Sequence, residues 1–211
     1  MDRCNLTGDG GQGLGQHDLA GDDAIAVSGR GRWMVAVVLH AAPGHLAVVN
    51  SARSEFLAGA GIPADHPLEP RQVATDRGRA IPGVSYRPSF IPKFLDFLAG
   101  TPGISVTTLT GPGLSPTALA AAARAPLDMR YKAADASGTV IIGGDRSGPP
   151  RVEFTGTAVP RPFDAQQLAR LLHAARFVAH VARDRHFPNP HRRGMGTALD
   201  ELLPGAVHLQ A

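Results

Sequence analysis

The segment from Phe163 to Asp184, FDAQQLARLLHAARFVAHVARD, constrains the fold more than any other stretch, because it is the longest periodic run in the chain. At 3.6 residues per turn, Leu168, Leu171, Leu172, Ala175, Val178, Ala179 and Ala182 fall on one broad side, flanked by Phe163 and Val181. Arg170, His173, Arg176, His180 and Arg183 fall on the other. Pro162 and Asp164 suit a first turn, where a missing N–H costs nothing and a carboxylate meets the positive end of the helix. Arg183 and Arg185 suit the last turn for the converse reason. Phe187-Pro188 forces the backbone extended, so the helix stops before Phe187.

A helix with one apolar side needs a surface to cover it, and strand patterns elsewhere supply a sheet. Trp33 to Ala41, WMVAVVLHA, is nearly continuously apolar, as a central strand covered on both faces would be. After the Pro43-Gly44 turn, Leu46 to Asn50 reads as a second strand. Asn50 or Ser51 then caps a short helix through Leu57 that ends at Gly59. Residues 92–99 form a short helix and 104–109 a β-branched strand. Ser115-Pro116 caps an alanine-rich helix to about Arg124, closed by Pro126. From Leu127 the period changes to two: Leu127, Met129, Tyr131 and Ala133 alternate with Asp128, Arg130 and Lys132. With returning strands at 139–142 and 151–159, this reads as an antiparallel meander. The expected class is α+β, a mixed or antiparallel sheet packed against a long C-terminal helix, with α/β as the alternative.

Residues 1–24, glycine- and aspartate-rich, read as a flexible N-terminal segment. Residues 25–211 read as one domain, and any internal boundary falls near 110–126. The proline-, glycine- and charge-rich stretch 60–92, with Tyr86 and Arg87, reads as a lid or a wrap-around arm.

Several function classes are excluded. The chain holds a single cysteine, Cys4, so an internal disulfide and a cysteine-based zinc cluster are ruled out. No apolar run approaches a membrane span, and no basic region precedes an apolar run near the N-terminus. A cytoplasmic protein with no membrane association is the expectation. The formal charge of +3 is no nucleic-acid signature by itself. No serine-hydrolase elbow, Walker loop, dinucleotide fingerprint or H-E-x-x-H element occurs. His173 and His180 lie about two turns apart on the long helix, roughly 10 Å, too far to share a zinc ion, so no metal site is expected. His40 and His45 bracket the Pro43-Gly44 turn and can point into one pocket.

What remains is anion chemistry. His173, Arg176, His180 and Arg183 follow at spacings of three and four and line one ridge. Phe177, among them, marks a contact with the C-terminal tail or a partner. Beyond the helix, Arg192 and Arg193 precede Gly194-Met195-Gly196, which opens a helix over 197–203. Backbone N–H groups at such a start bind anions, and neighbouring arginines reinforce them. The stretch Arg192 to Thr197 resembles the pyrophosphate loop of the GCN5-related N-acetyltransferases, which implies acetyl-CoA as a ligand. It departs from that pattern in placing His191 where the family has arginine or glutamine. It also follows a long helix where the family has a strand, and it assigns no family.

The expected function is a binding domain for a small anionic ligand, or an enzyme acting on a phosphate-bearing or acyl-CoA substrate; the cofactor is unknown. His173, Arg176, Arg192, Arg193, Gly194 and Gly196 would hold the ligand, and His180 and His191 would act as acid or base. The alternatives are a protein-interaction or structural domain without catalysis, and binding to the phosphate backbone of a nucleic acid.

Overall fold

A computed structural model describes residues 21–30, 33–42, 44–68, 90–143, 149–156, 163–186, 199–201, 203 and 205–211. The centre is a hairpin that pairs β1 (Asp22–Arg30) antiparallel with β2 (Trp33–Ala41). Both strands are buried on both sides, and their alternation divides the molecule into two cores. Ala24, Ala26, Val35, Val37 and Leu39 face one core, while Ile25, Val27, Met34, Ala36 and Val38 face the other. Near-continuous apolar runs are what such a position demands.

β3 (Ile104–Thr110) pairs antiparallel with β2, and β4 (Ser137–Gly143) runs parallel to β1. β5 (Arg151–Gly156) closes one edge antiparallel to β4, and β6 (Val207–Gln210) closes the other parallel to β3. The strand order is β5-β4-β1-β2-β3-β6, a six-stranded mixed sheet in an α+β arrangement.

The first core is covered by α1 (Leu46–Gly59), α2 (Phe90–Gly100) and α4 (Ala165–His186). Phe56 of α1, Phe90, Phe94 and Phe97 of α2, and Phe177 of α4 form one aromatic cluster with centroid spacings of 4.9–5.8 Å. The second core is covered by α3 (Pro116–Ala133) through Leu119, Ala120, Ala123, Leu127 and Tyr131. Two caps fix the helix starts. Ser115 Oγ accepts the Ala118 N–H at 3.1 Å, and Asp164 accepts those of Gln166 and Gln167 at 2.8 and 3.1 Å.

Four sequence expectations are corrected. Leu46 to Asn50 is the start of α1, not a strand: its buried positions, Leu46, Val49, Asn50, Arg53 and Leu57, recur at helical spacing. Leu127 to Ala133 is not a strand either. It continues α3 straight through Pro126, because Leu127 and Tyr131 extend the stripe begun by Leu119 and Ala123. The meander therefore shrinks to the β4–β5 pair. The 22-residue α4 does pack on the sheet, but residues 199–201 form a further short helical turn and β6 follows, so the long helix is not the last element. Finally, Phe177 is 1% exposed within the aromatic cluster and offers no surface to a partner, while Leu199 and Leu203 from the C-terminal stretch belong to the same buried core. β1 begins at Asp22, inside the 1–24 lead-in, and the one sheet draws strands from both sides of 110–126. Among the described residues, no helix is long and apolar enough to cross a membrane.

Candidate functional site

The seam between α1 and α4 holds polar groups that a helix–helix contact does not need. Asn50 is 3% exposed; its Nδ2 donates to the Leu46 carbonyl at 2.9 Å and to the Gln167 carbonyl of α4 at 3.2 Å. Since both partners are acceptors, the amide nitrogen must face them, and Oδ1 faces the other way with no partner. Arg53, one turn on, is 2% exposed. Its Nη1 and Nη2 donate to the carbonyls of Ala64 and His66 at 2.9 and 2.6 Å, tying the segment after α1 back onto the helix. Its Nε has no partner, and neither does Nδ1 of His173 on α4. Among the described residues, four buried side-chain nitrogen or oxygen atoms lack a hydrogen bond, and three of them lie on this seam. Buried polar atoms are nearly always paired, so such a concentration marks a place built for something more than packing.

The seam is also cationic. Burial, and then the neighbouring Arg170, lower Arg53 to about 10, which still leaves it charged at neutral pH. Burial, followed by repulsion from Arg53, Arg176 and His66, drives His173 down to about 4. Its ring is therefore neutral at pH 7. Asp65 partly offsets the positive field at Arg53. No carboxylate among the described residues forms an ion pair with Arg53, His173 or Arg176, although other arginines in the fold do have carboxylate partners. Arg176 reaches towards β4, where its Nη2 lies 2.8 Å from the place a Cβ on Gly143 would occupy. Glycine there lets the guanidinium lie against the strand, which is the close approach that position permits.

A second polar cluster sits beneath α3. Asp23 is fully buried and is the cross-strand partner of His40. Tyr131 donates its hydroxyl to Asp23 Oδ2 at 2.6 Å, and His40 Nδ1 donates to Oδ1 at 2.9 Å. Arg130 Nη2 lies 3.8 Å from the same carboxylate. Burial, and then the Asp23 charge, push the Tyr131 hydroxyl well above its ordinary range, so it stays a donor. Gly138 makes room for the ring, since a Cβ there would lie 2.4 Å from Tyr131 Cζ. Both carboxylate oxygens of Asp23 accept a hydrogen bond, and this cluster reads as an anchor of α3 on the β1–β2 hairpin. His40 and His45 do not share a pocket: His45 packs where a Cβ on Gly103 would lie, beside α1.

Of the residues singled out from sequence, His173 lies on α4 within electrostatic reach of Arg53 and Arg176, and the Arg176 guanidinium lies against Gly143 of β4. His180 lies two turns further along α4, 8% exposed, and accepts from Arg183 Nη2 at 2.9 Å. Arg183 in turn contacts Asp184 at 3.1 Å and Ser28 of β1 at 3.4 Å. His191, Arg192, Arg193, Gly194 and Gly196 lie outside the described residues, as do Tyr86 and Arg87. Asn50 entered the sequence reading only as a candidate helix cap, and Arg53 not at all. The signal was present, however: two polar residues at i and i+3 inside an apolar helical stripe. On the opposite face of the sheet, a cleft of about 360 Å³ opens between the start of α3 and β4–β5, lined by Val27, Thr117, Ala120, Ile142, Gly143 and Arg151 among others.

No family model, curated protein or solved structure matches the chain.

Proposed function

We propose that the protein binds a small anionic ligand at the α1–α4 seam, with Arg53, His173 and Arg176 as its recognition groups. The observation that carries this reading is the set of three unpaired buried atoms, Asn50 Oδ1, Arg53 Nε and His173 Nδ1, in a cationic seam without a described carboxylate partner. A guanidinium N–H left without an acceptor in a poorly solvated place forms strong, charge-assisted hydrogen bonds to an oxyanion. Neutral His173 adds a group that either donates or accepts, according to its tautomer. Phosphate-bearing molecules, acyl-CoA included, are the ligand class this chemistry fits. If chemistry follows binding, the histidines proposed for it are His180 and His191.

A thermal-shift panel of inorganic phosphate, nucleotides, CoA esters, RNA and divalent metals, run on the wild type and on Arg176→Ala, tests the proposal. The expected result is a saturable rise in Tm with a phosphate-bearing small molecule that Arg176→Ala removes. A rise confined to RNA and abolished by salt would favour phosphate-backbone binding instead. No response to any small anion would end the reading.

A further inference from the structure

We propose that the cleft between α3 and the β4–β5 edge is a separate binding site, one that takes a small monocarboxylate with an apolar body. It lies on the sheet face opposite the α1–α4 seam and uses none of the side chains invoked there.

Alternate residues of β5 project towards α3. Thr155 donates its hydroxyl to Asp128, and Glu153 pairs with Arg124, one turn earlier on the helix. Four residues of helix rise about 6 Å and two of strand about 6.7 Å, so the two elements stay in step. The next rung sets Arg151 against Ala120, and there the pattern breaks. A methyl group faces a guanidinium, and no carboxylate among the described residues forms an ion pair with Arg151. In place of a closed contact, the cleft of about 360 Å³ opens between the two elements, lined by both residues.

Floor and rim of the cleft differ in character. Val27, Ala120 and Ile142 are buried members of the α3-side core and make an apolar floor. Thr117, Pro149 and Arg151 are exposed and make the rim. A ligand that fits has an apolar body for the floor and one acceptor group for the rim. A carboxylate takes two parallel N–H donors from a guanidinium, which is the pairing Arg124 already makes with an acid on the neighbouring rung. One arginine and one hydroxyl satisfy a single charge. A phosphate ester brings more charge, and its surplus oxygens would meet apolar walls without a donor. The volume is near the lower end for small-molecule sites, which sets the size at a short acyl or aryl acid.

The test is a two-dimensional NMR titration of the full, nitrogen-labelled chain at neutral pH with hexanoate, hexanamide, acetate and hexyl phosphate. Hexanoate should give saturable shifts at Thr117, Ala120, Ile142, Gly143 and Arg151. Hexanamide keeps the body and loses the charge; it should bind about ten-fold more weakly or worse, the loss expected with a hydrogen bond between charged groups. Acetate keeps the charge and loses four methylenes, and should also weaken about ten-fold or more. Arg151 is exposed, so Arg151→Gln leaves the core intact and should bring hexanoate down to the level of hexanamide. Absence of saturable shifts in the cleft would overturn the proposal, as would equal binding of hexanoate and hexanamide or undiminished hexanoate binding by Arg151→Gln. Acetate as tight as hexanoate would overturn the apolar floor, and hexyl phosphate as tight would overturn the choice of a carboxylate. Shifts at Arg53 and His173 instead would put the acid in the α1–α4 seam and sink this site alone, while an empty cleft leaves the seam reading standing.

Discussion

Asp23 shows how a charge can be left in a core. It is fully buried, and the cost of desolvating it is offset by the Tyr131 hydroxyl, the His40 ring and the nearby Arg130. Removing one donor should therefore be felt. Tyr131→Phe keeps the ring that packs over Gly138 and deletes only the hydroxyl, so it should cost about 1.5–3 kcal/mol, the range for hydrogen bonds to charged groups. Urea unfolding measures this, and a loss below about 0.5 kcal/mol would mean the carboxylate is satisfied without it. His173 gives a second residue-level expectation. Its folded pKa lies near 4 and its unfolded value near 6.5, so between those values the unfolded chain binds the extra proton. The His173 contribution must therefore rise with pH from about 4 to 6.5 and be flat outside that window. Discounted for solvent screening, the rise is about 1–2 kcal/mol. His173→Gln should flatten the wild-type profile there and nowhere else. At this scale the sequence was half legible. His173 and Arg176 stood out because they share a ridge, whereas Asn50 and Tyr131 acquire their meaning from partners more than 100 residues away, Gln167 and Asp23, and Arg53 from carbonyls in the irregular segment after α1.

Elements read well where one physical signal dominated. β2 was recognisable because a strand buried on both faces has no polar positions to spare, and α4 because its apolar side repeats over six turns. β1 was missed although it lies at the centre of the sheet: DDAIAVSGR begins with two acids and ends in glycine and arginine, and Asp23 is apolar neither in pattern nor in propensity. β6 is four residues long and exposed throughout, so it depends on pairing with β3 rather than on burial. α3 was cut short at Pro126 because proline usually ends a helix. Here the helix runs on to Ala133, held by the burial of Leu127 and Tyr131 and by the anchor at Asp23. Pro126 itself is exposed, so Pro126→Ala should restore a helical hydrogen bond without disturbing the core. A gain of about 2 kcal/mol is expected after allowing for the freer unfolded chain. If the midpoint in urea does not rise, the helix is already adapted to its proline and the tertiary anchors alone set its length.

Over the described residues, a mixed sheet with α3 on one face and α1, α2 and α4 on the other produces two unlike interiors. The α3 side is a small core closed by a polar anchor around Asp23. The other side is thicker, with an aromatic cluster between α1, α2 and α4, and beside it a seam where the positive field at Arg53 and His173 is only partly offset, by Asp65. The class α+β was legible from the alternation of strand and helix patterns; which helices meet was not, because β1 to β4 is a parallel pairing across more than 100 residues. That pairing brings Gly143 under Arg176 and so sets the direction of the guanidinium. The most direct measurement is an NMR pH titration of the His173 ring, with and without saturating phosphate. The free protein should show a midpoint near 4, displaced upward when phosphate binds, and the displacement should vanish in Arg176→Ala. A midpoint near 6.5 that phosphate leaves unmoved would contradict both the cationic seam and the ligand proposed for it.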